Sequence, residues 1–438
     1  MLESELRELF ERQAAADQPP PLVSISAICH RGRVRLLRRR AGVIGSPLLA
    51  VGVVFGLFLG GVVPSASPGA PQPPGGSPWP AGPTAYVLTT SGTVVPVSLG
   101  TGRSGRPIRA VRGLGNALGG GDIAIAPDGR TVYVSGYGKR LPHHIAAQVV
   151  TPIDTATRVA GRPIVLPSDG GFSGAIALTP DGRTGYVLDM PPGLAAVNLV
   201  TRTVLRPVRL SSAIPLGEMA IAPNGKMAYA IQPDVLVPIR AATGKALKPI
   251  QLGNGYSATS IAIAPDSRTA YIASDSSAKV IPVNLVTNTA LAPIVLRDLP
   301  GGGAFSIAIT PDGRTAYVVS KGNSVIPVDL ATGTQLRPIR VPGRPNWFLS
   351  AMDPDGKVLY LGSFSSDVVV PVSTVTNTAL KPITTPGVPE FITFAPDGRT
   401  VYVGNGGRGT VTLIRAATGR VSGAINVSGD VAGIVFAP

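Results

Sequence analysis

Residues 307–318 read IAITPDGRTAYV, and the chain repeats this stretch. Six further copies begin at residues 123, 176, 219, 261, 350 and 392. An eighth copy is divided, because 433–438 (GIVFAP) supply only its first half and 84–87 (TAYV) only its second. Repetition at a regular period is the signature of a repeat architecture. The sequence therefore predicts eight copies of one unit within residues 84–438.

Each unit predicts four short strands, which we call A to D. In the copy at 307–318, strand A is IAIT, strand B surrounds Tyr317, strand C is the VIPV that follows, and strand D surrounds the RPI at 337–339. Alternating apolar and β-branched residues bounded by Gly or Asn turns are typical of strands. Pro-Asp-Gly favours a tight A–B hairpin, because proline presets φ and glycine accepts a positive φ. We expect the prolines of strand D at a sheet edge and those of strand C at a local bulge.

Four-stranded units repeated in series predict a β-propeller, whose blades close into a ring. Residues 84–438 provide about 44 residues for each of eight blades, which is a normal blade length. Closure would place the strand A at 433–438 beside the strands B, C and D that begin at Thr84. The predicted fold is therefore all-β, a propeller of eight four-stranded blades closed by its two ends, with seven blades as the alternative.

The repeated core A-P-D-G-R-T-x-Y-V resembles the YVTN family of β-propeller repeats, found in bacterial and archaeal envelope and surface proteins. The resemblance covers residues 84–438. The segment 402–405 (YVGN) comes nearest to the tetrapeptide that names the family, whereas most copies depart from it, as 317–320 (YVVS) does. The resemblance implies a propeller that is often seven-bladed, and it admits an enzyme, because some propellers similar to this one are lactonases or quinoproteins.

The first 83 residues differ in character from the repeats. Residues 1–40 form a basic tail that begins with a short amphipathic helix and contains six arginines between Arg31 and Arg40. The uncharged stretch 41–63 is long enough to cross a bilayer as one helix, and the preceding arginines predict a cytoplasmic N-terminus. Residues 64–83, rich in Pro, Gly and Ser, predict a spacer that leads to an extracellular propeller. A cleaved export signal is the alternative.

Composition limits the available chemistry. The net charge is +15, yet charged residues are only 14% of the chain and the mean hydropathy is +0.29, which excludes a charge-driven disordered protein. One cysteine and three histidines leave little for a disulfide or a metal site. The sequence contains no phosphate-binding loop, serine-nucleophile, zinc-protease or calcium-loop motif. We therefore predict no metal, no cofactor and no nucleic-acid partner, and a binding module rather than an enzyme.

Connection lengths predict which side of the ring binds a partner. The A–B and C–D spacings are constant, whereas the B–C and D–A connections vary in length. Because strands alternate in direction, the A–B and C–D turns share one side, the turn face, and the B–C and D–A connections share the other, the variable face. Variable loops on a rigid scaffold are where binding residues concentrate, although neutral drift in loose loops is the alternative. The candidate ligand-binding residues on the variable face are His143, His144, Trp347, Glu218 and Glu390.

Each candidate also has a structural interpretation. His143 and His144 lie in a long B–C loop, where exposure to solvent alone would account for them. Trp347, placed in a D–A loop, is either an exposed binding aromatic or a plug between blades. Glu218 and Glu390 are the only glutamates of the propeller.

Charge is also expected to differ between the faces. The variable face holds 8 basic and 10 acidic residues, whereas every internal A–B turn on the turn face contributes a base. A basic turn face near the spacer would contact anionic lipid or wall polymer. Ordinary solubilising charge is the alternative.

The predicted function is a membrane-tethered extracytoplasmic propeller that binds an envelope protein, peptide or glycan through its variable face. The first alternative is a lactonase-like or quinoprotein-like enzyme with its site at the central channel, served by Asp122, Asp189, Glu218 or Glu390. The second alternative is a transmembrane signalling receptor that uses residues 1–40 inside the cell.

Overall fold

The computed structural model describes residues 82–438, except 115–120, 141–145, 168–174, 190–192, 206–207, 210–217, 298, 300–302, 321, 344–346, 364 and 428. This part of the chain has no α-helix, and its strands form eight separate antiparallel sheets. None of the described residues belongs to a helix that could span a membrane. The predicted cytoplasmic tail, the span at 41–63 and nearly all of the spacer lie outside the described residues.

Strands A and B form the inner half of each sheet. The A strands are β4 (Ile123–Ile125), β8 (Ile176–Leu178), β13 (Met219–Ile221), β18 (Ala258–Ile263), β23 (Ala304–Ile309), β28 (Trp347–Met352), β33 (Val388–Phe394) and β37 (Val431–Ala437). The B strands are β1 (Thr84–Thr89), β5 (Thr131–Arg140), β9 (Thr184–Asp189), β14 (Met227–Gln232), β19 (Thr269–Ser274), β24 (Thr315–Ser320), β29 (Val358–Ser363) and β34 (Thr400–Gly406).

Strands C and D form the outer half. The C strands are β2 (Thr93–Ser98), β6 (Ala146–Asp154), β10 (Gly193–Asn198), β15 (Val235–Arg240), β20 (Lys279–Asn284), β25 (Ser324–Asp329), β30 (Val368–Ser373) and β35 (Thr410–Arg415). The D strands are β3 (Ile108–Arg109), β7 (Ile164–Val165), β11 and β12 (Thr203–Val204, Val208–Arg209), β16 and β17 (Lys245–Ala246, Ile250–Gln251), β21 and β22 (Thr289–Ala290, Ile294–Val295), β26 and β27 (Thr334–Gln335, Ile339–Arg340), β31 and β32 (Thr378–Ala379, Ile383–Thr384), and β36 (Arg420–Asn426).

The eight sheets are the blades of a closed propeller. We number them in chain order: blade 1 is β37 with β1–β3, blade 2 is β4–β7, blade 3 is β8–β12, blade 4 is β13–β17, blade 5 is β18–β22, blade 6 is β23–β27, blade 7 is β28–β32 and blade 8 is β33–β36. In blade 1, β1 pairs with β37 from Thr84 opposite Ala437 to Leu88 opposite Gly433. Each A strand contacts the A strands of both neighbouring blades, so the inner strands form an unbroken ring. The prediction of eight blades closed by the two ends is confirmed.

The apolar core lies between the blades. In the described residues, eight clusters of buried side chains fill the eight gaps between neighbouring sheets. The gap between blades 6 and 7, for example, packs Tyr317 and Val319 against Leu359 and Leu361. Successive residues of a strand point to opposite faces of its sheet, so the inner strands are apolar on both faces.

Strand D is interrupted by a bulge, which explains the prolines of strand C. In blade 5, Val283 pairs with Ala290 and Val280 with Ile294, so D carries one residue more than C between these pairs. The Pro282 carbonyl accepts a hydrogen bond from the Leu291 N–H at 2.8 Å. The nitrogen of Pro282 faces the same way as its carbonyl, toward the bulge, so the missing N–H removes no bond to strand B. Strand D was predicted as one strand and is divided in two in five blades.

Candidate functional site

The A–B turns of neighbouring blades pack against one another on the turn face. Gly356 of blade 7 has φ 69°, and a Cβ added there would overlap the ring of Pro311 in blade 6. The same pairing recurs around the ring, at Gly129 with Pro438, Gly182 with Pro127, Gly225 with Pro180, Gly313 with Pro265 and Gly398 with Pro354. Both the positive φ and the neighbouring proline therefore favour glycine at this position, although blade 5 has Ser267 there with φ 59°.

In four blades, the tyrosine of strand B bonds to the next blade. The hydroxyl of Tyr186 in blade 3 donates to the Ala241 carbonyl in the C–D turn of blade 4 at 2.6 Å. Equivalent bonds run from Tyr86 to Thr155, from Tyr317 to Thr374 and from Tyr360 to Ala416. Burial raises the pKa of Tyr229, Tyr317, Tyr360 and Tyr402 to about 12. The turn face is thus a tightly bonded structural surface, with its repeated residues used for joining blades.

The variable face is dominated by a long hairpin in blade 2. Strands β5 and β6 contain 10 and 9 residues, whereas most other B and C strands contain six. Their pairing continues to Arg140 opposite Ala146, so most of the segment predicted as a B–C loop is strand. The D–A connection from blade 1 adds to the hairpin edge, because the Arg112 N–H donates to the Tyr137 carbonyl at 2.7 Å. His143 and His144 lie outside the described residues.

Glu218 lies at the variable-face end of the inner ring, but it is buried. Only 1% of it is exposed, and its Oε2 accepts a hydrogen bond from the Ile261 N–H of blade 5 at 2.8 Å. This N–H lies on the edge of β18 that strand B leaves unpaired, because the bonds to β19 use alternate residues, and Ala264, which directly follows β18, donates its N–H to Thr269. Glu218 therefore joins blades 4 and 5, and its role in ligand binding stays a prediction.

The position of Glu218 is one that recurs in the repeat, five residues before the A–B proline. Ser260 occupies it in blade 5, where its Oγ accepts a hydrogen bond from the Ile307 N–H of blade 6 at 3.4 Å. Asp122 occupies it in blade 2 and is also 1% exposed, with its Oδ1 near Gly433 of blade 1. Polar side chains at this position line the inner ring and bridge blades.

Glu390 and Trp347 begin the A strands of blades 8 and 7. Glu390 is half-buried at a bulge, between Pro389, which pairs with Asn405, and Phe391, which pairs with Gly404. Trp347 is the first residue of β28 and pairs with Ser363, also beside a bulge. Trp347 was placed in a D–A loop, but a strand begins at it because the bulge extends β28 beyond its repeated core. Bulges commonly re-aim side chains near functional sites.

The two predicted glutamates, whose side chains the structure describes, do not lie together. Glu218 is in blade 4 and Glu390 in blade 8, on opposite sides of the eight-bladed ring. Trp347 and Glu390 come from the A strands of adjacent blades, β28 and β33. Within the described residues, no group of three or more His, Cys, Asp or Glu could hold a metal ion.

Two aspartates connect described loops of the variable face. Asp234 Oδ1 accepts the Tyr256 N–H at 2.9 Å, and Asp430 Oδ1 accepts the Gly407 N–H at 2.8 Å. Each of these bonds ties a D–A connection to a B–C connection. Their sequence signal is weak, since an isolated loop aspartate does not indicate its partner about 20 residues away. These two pairs of connections are therefore held together on the variable face.

The A–B turns carry the predicted bases, but acids accompany them. In six of the seven turns the base follows an aspartate by two residues, and its N–H bonds to that aspartate in five, as from Arg314 to Asp312 Oδ1 at 3.0 Å. The base-rich A–B turns therefore contribute little net charge, and the excess positive charge of the propeller lies elsewhere.

Comparisons with known proteins support the fold alone. No family model and no curated protein matches the chain, so membership of the YVTN family stays a prediction. The chain is similar to the solved structure of the dihydro-heme d1 dehydrogenase NirN in complex with DHE, with a TM-score of 0.62 and 17% identity over 80% of this chain and 74% of that one. It is also similar to Kuenenia stuttgartiensis hydrazine synthase, with a TM-score of 0.50 and 19% identity over 68% of this chain and 95% of that one.

Proposed function

We propose that this chain is a binding module, tethered outside a bacterial membrane, that holds an envelope protein, peptide or glycan on its variable face. The observation that carries the proposal is the contrast between the faces. The repeated residues of the turn face are used for blade-to-blade packing, while the variable face presents a projecting hairpin and loops held by aspartates. Rigid scaffolds commonly carry their binding residues on such loops.

The hairpin provides the first test. Gly136 pairs with Val149, so replacing residues 137–148 by Asn-Gly would close the hairpin with a two-residue turn. The matched control changes the turn face instead, as Val200→Ser, Val286→Ser and Val375→Ser, three valines that are 65–73% exposed in C–D turns. Both variants of the full chain are compared with the parent for retention of envelope peptides and glycans.

We expect the shortened hairpin to abolish retention of at least one ligand that the valine variant still retains. Thermal unfolding of both variants checks that the ring is intact. A ligand lost by the valine variant and kept by the shortened one would place binding on the turn face and contradict the proposal.

The tether is tested separately. Deleting residues 41–63 should move the chain from the membrane fraction to the soluble fraction, because the proposed span supplies the hydrophobic anchor. Deleting the spacer segment 64–80 is the control and should leave the chain in the membrane fraction. A chain without 41–63 that still sediments with membranes contradicts the tether.

A second candidate is an enzyme with its site at the variable-face end of the channel. Two observations favour it: Asp122 and Glu218 are buried carboxylates of the inner ring, and the solved propellers compared above are described as a dehydrogenase and a synthase. The full chain would be assayed for lactone hydrolysis and for electron transfer to a redox dye. Turnover that disappears in Glu218→Gln, which keeps an acceptor for Ile261, would favour this function, and turnover unaffected by Glu218→Gln and Asp122→Asn would exclude these two residues.

A further inference from the structure

The outer strands carry the positive charge of the propeller. We define the basic rim as the C–D turn and strand D of each blade, which are residues 99–110, 155–166, 199–210, 241–252, 285–296, 330–341, 374–385 and 416–427. These segments contain 14 basic residues and no acidic residue, whereas the rest of 84–438 contains 17 basic and 19 acidic residues. The net charge of +12 therefore arises entirely from the rim.

One position of the repeat accounts for much of this charge. A basic residue immediately precedes the strand D proline or its equivalent in six of the eight blades, at Arg106, Arg162, Arg206, Lys248, Arg337 and Lys381. All of these side chains that the structure describes are exposed. Strand D bonds to strand C on one side only, so its other side forms the outer wall of the ring. The described bases therefore recur along the circumference, one or two blades apart.

The chemistry of the rim favours phosphate groups. Eleven of its 14 basic residues are arginines, whose planar guanidinium binds phosphate through two parallel hydrogen bonds. The rim segments contain no Phe, Tyr or Trp. Proteins that bind single-stranded nucleic acids normally stack the bases on aromatic side chains. The rim therefore has the positive charge of such a site but not its aromatic side chains.

The shape of the rim favours a flexible chain. The wall of a ring is convex, so a flat bilayer would contact the strands D of only a few neighbouring blades at a time. A linear polymer can follow the curve from blade to blade and gain a new charge contact at each repeat. Many weak contacts on one connected ligand raise its overall affinity far above that of a single contact.

We propose that the basic rim binds a linear polymer whose charge resides on phosphate groups and which carries no aromatic bases. This inference concerns a different surface from the variable face and does not depend on the proposed function. Binding is electrostatic, so it should weaken steeply with salt as counterions are released.

The test uses the full chain in detergent, with long-chain inorganic polyphosphate as the probe. The rim variant carries Arg106→Gln, Arg162→Gln, Lys248→Gln, Arg337→Gln and Lys381→Gln. The matched control carries the same loss of five charges on the A–B turns, as Arg130→Gln, Arg183→Gln, Arg268→Gln, Arg314→Gln and Arg399→Gln. Circular dichroism and thermal unfolding establish that both variants remain folded.

We expect the rim variant to bind polyphosphate at least about tenfold more weakly and with a shallower salt dependence, and the control to change less than about threefold. Equal weakening in both variants would show a response to net charge alone and would overturn the proposal. Tripolyphosphate bound as tightly as the long chain would overturn the inference of a polymer.

Two competitors separate the remaining classes of partner. Single-stranded poly-dT should displace polyphosphate poorly, and equal or better competition by poly-dT would show a nucleic-acid surface instead. Replacing phosphatidylcholine by phosphatidylglycerol in mixed micelles should leave polyphosphate binding nearly unchanged. Displacement of polyphosphate from the rim by the anionic lipid would identify a membrane surface and overturn the proposal.

Discussion

The inner and outer halves of each blade are made from the same repeat, but their residues serve different purposes. Strands A and B and their turn are buried or packed against the next blade through contacts such as Gly356 with Pro311 and Tyr186 with Ala241. Strand D is a short, broken edge whose side chains alternate between buried and exposed. The inner half therefore determines much of the stability, and the exposed side chains of strand D are available for interaction.

This difference shows which repetition in the sequence is structural. Pro-Asp-Gly and the strand B tyrosine recur because each blade must fit the blade before or after it. The base before the strand D proline recurs without any such contact in the described structure of Arg106, Arg162, Lys248, Arg337 or Lys381. A repeated base that packs against no neighbouring blade is better explained by a ligand whose charged groups also repeat.

The largest expected effect is on the strand that closes the ring. All seven residues of β37 are buried, and Phe436 packs edge-to-face on Tyr402 with ring centroids 5.0 Å apart. Deleting residues 431–438 should leave no cooperatively folded ring, because the loss exceeds the usual total stability of about 5–15 kcal/mol. The milder Phe436→Ala should cost about 3–5 kcal/mol in urea unfolding followed by circular dichroism.

The outer control for this prediction is Val375→Ser, at a C–D turn valine that is 73% exposed. Its effect should lie within about 0.5 kcal/mol of zero. If Phe436→Ala were equally mild, the closing strand would not be the stabilising element inferred here.

The inner half should also be sensitive to alkali. Burial raises the pKa of Tyr229, Tyr317, Tyr360 and Tyr402 to about 12, above the ordinary value near 10. The stability due to these neutral hydroxyls is complete below about pH 10 and is lost as the pH rises through 12, because the unfolded chain ionises first. Tyrosinate absorbance and circular dichroism should therefore change together between these values. Ionisation near pH 10 with the strand signal retained would contradict this assignment.

Substitutions at two glycines with nearly the same φ distinguish the cost of backbone strain from the cost of lost contact between blades. Gly356 has φ 69° and lies against Pro311, whereas Gly102 has φ 68° in a C–D turn with nothing within 4 Å of an added Cβ. Gly102→Ala should cost about 1 kcal/mol, the price of a left-handed residue with a side chain. Gly356→Ala should cost about 3 kcal/mol, since it also displaces the proline. Equal losses in urea unfolding would mean that the turns do not support one another.

The smallest expected effect belongs to a single bond between blades. Tyr186→Phe removes the hydroxyl that donates to the Ala241 carbonyl at 2.6 Å and leaves the ring in place. The expected loss is about 1 kcal/mol. The acceptor is the backbone carbonyl of Ala241, so a substitution at Ala241 would not remove it. Tyr86→Phe therefore serves as the replicate in another blade, where the Tyr86 hydroxyl donates to the Thr155 carbonyl at 2.9 Å. If neither variant lost stability, these tyrosine hydrogen bonds would not contribute to the stability of the ring.

The sequence predicted the fold better than the site. The fold depends on patterns within one repeat, whereas the roles of the site residues depend on contacts between residues of different strands or blades. Spacing within one unit of about 44 residues was enough for strands, turns, blade number and closure. The role of Glu218 depends on Ile261, in the next blade, and nothing near Glu218 in the sequence indicates that bond. Similarly, the bulge that brings Trp347 into β28 is a property of its pairing with β29. The charge of the rim was visible in the sequence but became interpretable only when strand D was seen at the outer wall.

Closure through β1 and β37 also means that the ring has no intrinsic starting blade. Pro438 occupies the turn position that Pro311 occupies in blade 6, and Thr84 occupies that of Thr315. An inserted Asp-Gly-Arg between Pro438 and Thr84 would recreate the ordinary repeat PDGRTAY, so the two ends could be fused without disturbing any strand. A circular permutant cut in a connection of the variable face would then carry its termini on the face opposite to the present ends, and an anchor attached there would hold the same disc from its other side.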